Sequence, residues 1–189
     1  EGIADQYGLE LIFIDNETVN DQEYERITAD ALEPYMSDNV SLVTFQVLQY
    51  RSGALNPIKE ITELAESYGA MTIWDASHAA GSVRLDFKEN NIDLAVGCTY
   101  KYLCAGPGSP AWLYVSKKLQ NKLNVHIQGW FAQKNQFGMG PKFEKSPDIR
   151  GFQIASPSLL GIRCVNSSLE LFEEVGMPEI INKAQKGTD

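Results

Sequence analysis

Short apolar runs along this chain alternate with segments whose apolar residues recur at helical spacing. Runs of roughly four to eight residues, rich in β-branched and aromatic side chains, are typical of buried strands. Their alternation with helices predicts βα units around a mostly parallel sheet. The last run follows the one before it too closely for a crossover helix, so that strand is predicted to be antiparallel. The predicted strands are 9–14, 40–47, 70–74, 94–98 and 111–115.

Residues that favour helix ends mark three helices, two between these strands and one after the last strand. The expected architecture is therefore α/β, with three layers and a mostly parallel sheet that contains one antiparallel strand. Residues 151–155 are expected to be extended, and the tail at 182–189 is expected to be solvated. The predicted caps are Thr28 for a helix at 29–35, Asn56 for a helix that ends before Gly69, and Ser156 for a helix that ends at Gly176.

Composition narrows the classes of partner. The chain has 189 residues, 43% of them hydrophobic, which fits a single domain with its own core. Its formal net charge of −9 argues against a nucleic-acid partner. No apolar run approaches the roughly 18 residues of a membrane span. The three cysteines match neither a disulfide framework nor a zinc site, and a cytoplasmic location is expected. Because the sequence opens without Met at the approach to a strand, we expect it to be a piece of a longer protein.

Two groups of polar residues end predicted strands, where ligands bind in open α/β sheets. The first contains Asp75 and His78, and the second contains Tyr100 and Lys101 ahead of a Gly-Pro-Gly segment at 106–108. A carboxylate at such a place is costly unless it faces a positive group, such as a protonated ring nitrogen. A lysine there can attack an aldehyde. The sequence therefore predicts a site for an aldehyde cofactor with a basic ring.

Each of these features also has a structural explanation. Asp75 alone could cap a helix or form an ion pair with Lys101, and His78 alone could be a packed or solvated histidine. The Gly-Pro-Gly segment could be a turn before the antiparallel strand. It does not match the G-x-G-x-x-G fingerprint, so a nicotinamide-binding domain ranks last among the alternatives. All of these features together indicate a cofactor site more specifically than any one of them does alone.

The motifs around these residues resemble the kynureninases, which are pyridoxal-5′-phosphate (PLP) enzymes of the aspartate-aminotransferase fold type. The resemblance runs over 40–172 and covers only the middle of a family member. It implies that the chain is the central part of the PLP-binding large domain, without the N-terminal phosphate loop and the C-terminal small domain. The motifs are YRSG at 50–53, WDASHAAG at 74–81, DLAVGCTYKYLCAGPGSPAWLYV at 93–115, QGWF at 128–131 and FQIASPSLL at 152–160.

The resemblance implies a role for each of the four strand-end residues. Lys101 would form the Schiff base with the cofactor. Asp75 would keep the pyridine nitrogen protonated, and His78 would lie against the cofactor nearby. Tyr100 would reach the cofactor phosphate and exchange protons during turnover.

Three further residues match positions that approach the cofactor in this family. Trp130 and Ser156 match positions supplied by the neighbouring subunit, which implies a homodimer with shared active sites. Gln46 aligns where the family often has a small hydroxyl residue, and Ser156 replaces the commoner Asn or Thr. Both departures leave the contacts of these two side chains open. No metal is implied.

The activity that the resemblance implies is hydrolysis of L-kynurenine, or of 3-hydroxykynurenine, to anthranilate and L-alanine. This reaction belongs to tryptophan catabolism and NAD biosynthesis. The alternatives are another PLP enzyme of the same fold, such as a class V aminotransferase or a cysteine desulfurase with Cys104 as its nucleophile, and a non-catalytic fragment. The isolated chain is expected to bind PLP weakly or not at all and to be inactive.

Overall fold

The computed structural model describes residues 1–14 and 26–188. Its sheet has four strands in the order β1-β2-β3-β4. The first three strands are parallel, and β4 runs antiparallel to β3. The α/β class and the single antiparallel strand are therefore confirmed. The strands are β1 (Leu42–Gln46), β2 (Met71–Asp75), β3 (Leu94–Gly97) and β4 (Trp112–Val115).

The helices precede, connect and follow the strands in the chain. Within residues 1–14 and 26–188, no helix combines the length and the apolar composition of a membrane span. The α-helices are α1 (Gly2–Tyr7), α2 (Ala29–Leu32), α3 (Ile58–Ser67), α4 (Lys117–Gln120), α5 (Leu159–Val175) and α6 (Met177–Thr188), and 3-10 helices lie at Glu33–Tyr35, Trp130–Ala132 and Ile149–Phe152.

One face of the sheet holds the core. Strand alternation places Val43, Trp74 and Ala95 on this face, and all three are buried. Helix α3 packs against it, with Ile61 fully buried. The Trp74 indole N–H donates a hydrogen bond to the Thr62 hydroxyl over 3.0 Å. This bond satisfies a polar group that would be costly to bury unpaired.

The opposite face of the sheet is open over part of its area. On this face Leu42, Met71, Val96 and Leu113 have exposed fractions of 46%, 42%, 36% and 43%, whereas the paired Leu94 and Val115 are buried. These residues share one face because they occupy the alternate register positions of the four strands. The second helical layer that a three-layer architecture requires on this face does not come from the described residues.

Residues 9–14 do not form the predicted strand. They lie outside the sheet, and Leu9, Leu11, Ile12 and Phe13 are exposed. A β-branched and apolar run becomes a strand only when a neighbour pairs with its backbone groups. In the described part of the chain, β1 pairs with β2 on one side and with no strand on the other.

Thr28 caps the helix predicted at 29–35, as expected. The Thr28 hydroxyl accepts a hydrogen bond from the Ala31 N–H over 3.2 Å. Helix α2 ends at Leu32 and continues as a 3-10 turn that contains Pro34. The change of helix type follows because proline lacks the N–H that an α-helix requires at an interior position.

Asn56 is not the cap of α3; the residue at that position is Pro57. The buried Asn56 amide instead donates a hydrogen bond to the Gln46 carbonyl over 2.6 Å. It also accepts a hydrogen bond from the Ile27 N–H over 3.0 Å. Asn56 therefore joins the end of β1 to the segment ahead of α2.

Two predictions near the C-terminal end were wrong. Helix α5 is capped by Ser158, whose hydroxyl accepts a hydrogen bond from the Gly161 N–H, and not by Ser156. Backbone that was expected to be extended forms the 3-10 helix Ile149–Phe152 over part of 151–155. The tail at 182–188 is exposed, as expected, and it lies in helix α6, which the sequence analysis did not predict. Both elements are short or polar, so hydrophobic periodicity alone did not reveal them.

Candidate active site

The parallel strands β1 and β2 end side by side, with Gln46 paired to Asp75 and Asp75 paired to Val96 of β3. The Asp75 carboxylate accepts a hydrogen bond from the Ser77 N–H over 2.8 Å. This bond ties the side chain to the turn that leaves the strand. Asp75 is half-buried at the carboxyl edge of the sheet, which is where ligands bind in open α/β folds.

A tight turn after Asp75 carries His78. Backbone bonds from Ala79 and Ala80 to the Ala76 carbonyl close it over 3.0 and 2.9 Å. The turn reaches Gly81, whose φ of 90° lies in the left-handed region that favours glycine. Its geometry places His78 on the same edge of the sheet as Asp75.

The loop after β3 carries Tyr100 and Lys101. Buried Thr99 anchors it, since the Thr99 hydroxyl lies 2.6 Å from the Pro110 carbonyl and 2.8 Å from the Ser109 hydroxyl. The Lys101 amine lies 3.1 Å from His78 Nε2. It also lies 5.7 Å from the centroid of the Tyr100 ring. The loop after β3 therefore brings the Lys101 amine to the ring of His78.

The electrostatics of the site centre on His78. Burial lowers the pKa of His78, the positive charge of Lys101 lowers it further, and the carboxylate of Asp75 acts in the opposite direction. The imidazole is therefore held in its neutral form, which can accept a hydrogen bond from the Lys101 ammonium. Both Asp75 and Lys101 act on this one ring, so both charges lie within electrostatic range of it. An amine beside a neutral imidazole and a carboxylate can exchange protons with a bound ligand.

Two tyrosines beside His78 were not among the predicted site residues. Ring centroids of Tyr50 and His78 are 6.0 Å apart, and those of His78 and Tyr102 are 6.4 Å apart. Both tyrosines are about half exposed or more, at 64% and 49%. Both tyrosines belong to motifs of the sequence, YRSG and YKYL. The distance of these motifs from His78 along the chain did not indicate that the tyrosines contact it.

Gln46 lies beside Asp75 in the sheet. Its side-chain oxygen accepts a hydrogen bond from the Tyr50 N–H over 3.4 Å. Gln46 therefore supports the turn that carries Tyr50, on the strand next to the carboxylate.

Trp130 and Ser156 lie in a different part of the chain from this group. Among the described residues, neither forms a hydrogen bond or ring contact with the four strand-end residues. Trp130 is 48% exposed and packs edge-on against Phe131, with ring centroids 4.8 Å apart. Ser156 is exposed. The segments that carry them approach closely where Gly129 meets the Ile154 carbonyl.

Comparison with known proteins places the chain in a family. The model of the class-V aminotransferase family matches residues 3–189. Kynureninase of Deinococcus radiodurans is 30% identical over 90% of this chain, and kynureninase of Pseudomonas fluorescens is 31% identical over 100% of it. These alignments span 42% and 43% of the two relatives. The resemblance to kynureninases is confirmed, and the chain spans about two-fifths of the length of these relatives.

Solved structures agree on the fold. A Lys-to-Ala variant of C-DES, with glycine covalently linked to its PLP cofactor, superposes with a TM-score of 0.79 at 19% identity and covers 96% of this chain and 47% of its own. Apo cysteine desulfurase from Thermococcus onnurineus superposes with a TM-score of 0.72 at 20% identity, and covers 94% of this chain and 42% of its own. At these identities the likeness concerns the fold alone. From the match along nearly its whole length, this chain belongs to the class-V aminotransferase family.

Proposed function

We propose that the protein containing this chain is a PLP-dependent hydrolase that cleaves the β,γ carbon–carbon bond of L-kynurenine or 3-hydroxykynurenine. The observation that carries this proposal is the Lys101 amine, which lies 3.1 Å from His78 Nε2 on the sheet edge that also bears Asp75. Kynureninases are among its relatives at 30–33% identity, which favours this substrate over others.

PLP is the cofactor that the family and the PLP-linked neighbours indicate. The residues present fit this group, because an amine for its aldehyde and a carboxylate for its ring nitrogen lie on one edge of the sheet. When bound, PLP supplies an electron sink for the substrate carbon that loses its proton.

The residues of this chain would bind and orient the cofactor and would exchange protons with the cofactor and the substrate. Lys101 would hold the cofactor through its amine and then accept or donate protons at the substrate. Asp75 would keep the proton on the ring nitrogen. His78, whose neutral form is favoured, would lie between the carboxylate and the amine, and Tyr100 would reach the phosphate.

The remaining parts of the site are proposed to come from outside this chain. The chain would form the central part of the large domain, with a phosphate loop before it and a small domain after it. We also propose a cytoplasmic homodimer, in which Trp130 and Ser156 approach the cofactor of the neighbouring subunit. The exposure of both residues, away from Lys101, is compatible with this arrangement.

A cysteine desulfurase is the second candidate, because Cys104 is exposed on the same loop as Lys101. However, Cys104 lies in a tight turn with a φ of 58°, and its N–H donates to the Lys101 carbonyl over 2.9 Å. Its thiol is 3.3 Å from the Tyr102 carbonyl. These contacts hold the thiol within the turn, whereas a desulfurase needs a cysteine that reaches the substrate sulfur.

The decisive experiment assays the full protein with L-kynurenine, by anthranilate fluorescence, and with L-cysteine, by sulfide release. The expected result is anthranilate formation that is lost in Lys101→Ala and kept in Cys104→Ala. Borohydride reduction followed by peptide mass spectrometry should locate a pyridoxyl group on Lys101. Sulfide release that depends on Cys104, with no anthranilate, would favour the desulfurase instead.

A further inference from the structure

Gly81 lies where the backbone of the turn that carries His78 approaches the backbone of the loop that carries Lys101. A Cβ added at Gly81 would lie 2.7 Å from the Tyr102 carbonyl oxygen and 3.0 Å from the Leu103 nitrogen. Real Cβ atoms essentially never come within 3.0 Å of such atoms, so one of the two segments would have to move. The contact involves backbone on both sides, and no side chain can rotate away to relieve it.

Helix α5 holds the next peptide of the same loop, between Leu103 and Cys104. The Ser168 hydroxyl of α5 donates a hydrogen bond to the Leu103 carbonyl, and Ser168 is buried. Farther along the same loop, Gly161 of α5 packs against Pro110, and a Cβ there would lie 2.8 Å from the proline ring. The loop is therefore clamped between α5 and the turn at Gly81, and it has little room to withdraw.

This clamp lies next to the pair that the proposed chemistry uses. Gly81 follows His78 by one turn of backbone, and Tyr102 is bonded to Lys101. A displacement at Gly81 against Tyr102 therefore changes the separation of the Lys101 amine from His78 Nε2, which is 3.1 Å in the structure.

We propose that Gly81 is a positioning residue, which allows the His78 turn to seat against the Tyr102–Leu103 peptide and so sets the Lys101 amine against His78. This inference rests on the proposed function in one respect, namely that Lys101 holds the cofactor. The contact itself is a property of the chain, and it can be measured in the cofactor-free protein.

The test uses Gly81→Ala in the full protein, with Gly69→Ala as the matched control. Gly69 has a φ of 76°, close to the 90° of Gly81, but a Cβ there would meet nothing within 4 Å. Both variants therefore place alanine at positive φ, which is unfavourable for the backbone. Only Gly81→Ala adds a steric clash. Gly69 lies between α3 and β2, away from the site.

The first readout is the titration of His78 in cofactor-free protein by NMR with labelled histidine, assigned with His78→Gln. In Gly81→Ala the pKa of His78 should rise toward its ordinary value, because the charge of Lys101 that lowers it has moved away. Gly69→Ala should titrate as the wild type. The second readout is kcat, which should fall by about 10²-fold in Gly81→Ala if the amine moves by about 1 Å.

Ser168→Ala keeps the inference testable if Gly81→Ala does not fold. Removing this hydroxyl takes away one of the contacts between the loop and α5, and the pKa of His78 should shift in the same direction by a smaller amount. Wild-type titration and wild-type kcat in folded Gly81→Ala, or in Ser168→Ala where the first is insoluble, would overturn the inference. An absence of pyridoxyl on Lys101 in the wild type would refute the proposed function, and the His78 titration would still decide the role of Gly81.

Discussion

The Lys101 amine lies 3.1 Å from His78 Nε2, although the two residues come from different strand-end loops. The pair links the turn after β2 to the loop after β3. With Lys101 as an ammonium, which has donors and no acceptor, this contact needs His78 Nε2 without a proton. The protonation state of His78 is therefore coupled to the position of Lys101.

The first prediction concerns the pH dependence of folding. The pKa of His78 in the folded chain is lowered by burial and by Lys101, so the unfolded chain binds the proton more tightly. The stabilising contribution is present above the ordinary histidine pKa of about 6.5 and is lost as pH falls from there through the lower folded pKa. Denaturant unfolding of His78→Asn between neutral and mildly acidic pH should show a shallower loss of stability than the wild type.

His126→Asn is the matched control for that experiment, because it removes the other histidine of the chain, which lies beside Tyr7. A slope in His78→Asn equal to that of the wild type would contradict the direction assigned to the pKa of His78.

The second prediction concerns the buried hydrogen bond between Trp74 and Thr62. Thr62→Val keeps the shape of the side chain and leaves the indole N–H without its partner at 3.0 Å. The expected loss is about 1–3 kcal/mol in the free energy of unfolding, which is the cost of an unsatisfied buried donor. Chemical denaturation measures it.

A double-mutant cycle provides the control for this bond. In a Trp74→Phe background, the indole N–H is already absent, so Thr62→Val should cost less than in the wild type. Equal costs in both backgrounds would show that the bond does not account for the loss.

The third prediction concerns the approach of Gly129 to Ile154. A Cβ at Gly129 would overlap the Ile154 carbonyl group, so Gly129→Ala must displace one of the two segments. We expect a loss of about 1–3 kcal/mol, as for other overpacked sites, and faster proteolysis between 127 and 155. Gly140→Ala is the control, because a Cβ there meets nothing within 4 Å. Equal proteolysis of the two variants would argue against this contact.

The fourth prediction concerns the isolated chain of 189 residues. It contains Asp75, His78 and Lys101 together, but Trp130 and Ser156 do not contact them in the described residues. We expect weak binding of PLP or none, measured by spectral titration, with Lys101→Met as the control for nonspecific amines. Tight, stoichiometric binding that depends on Lys101 would contradict this expectation.

Strand-end chemistry made most of the candidate site predictable. Because parallel strands present their carboxyl ends at one edge, residues 75 and 101 could be expected to converge without knowledge of their exact contacts. The antiparallel direction of β4 followed from the length of its connection. Both predictions depended on local patterns that report directly on topology.

Other features depend on the approach of distant backbone and were not predictable. The contact of Gly81 with Tyr102, and the rings of Tyr50 and Tyr102 beside His78, require the three-dimensional path of the loops. Ser156 and Ser158 both flank a proline, and only the geometry selects Ser158 as the cap. Local preference could not distinguish between two residues of the same type.

The open face of the sheet bears on how this chain behaves in the test tube. Strand β1 leaves one backbone edge unpaired among the described residues, and it also presents Leu42 on the open face. An unpaired edge beside an apolar surface is a template for pairing between separate molecules. We therefore expect the isolated chain to self-associate at high protein concentration before it loses secondary structure. Experiments on the isolated chain should use dilute samples.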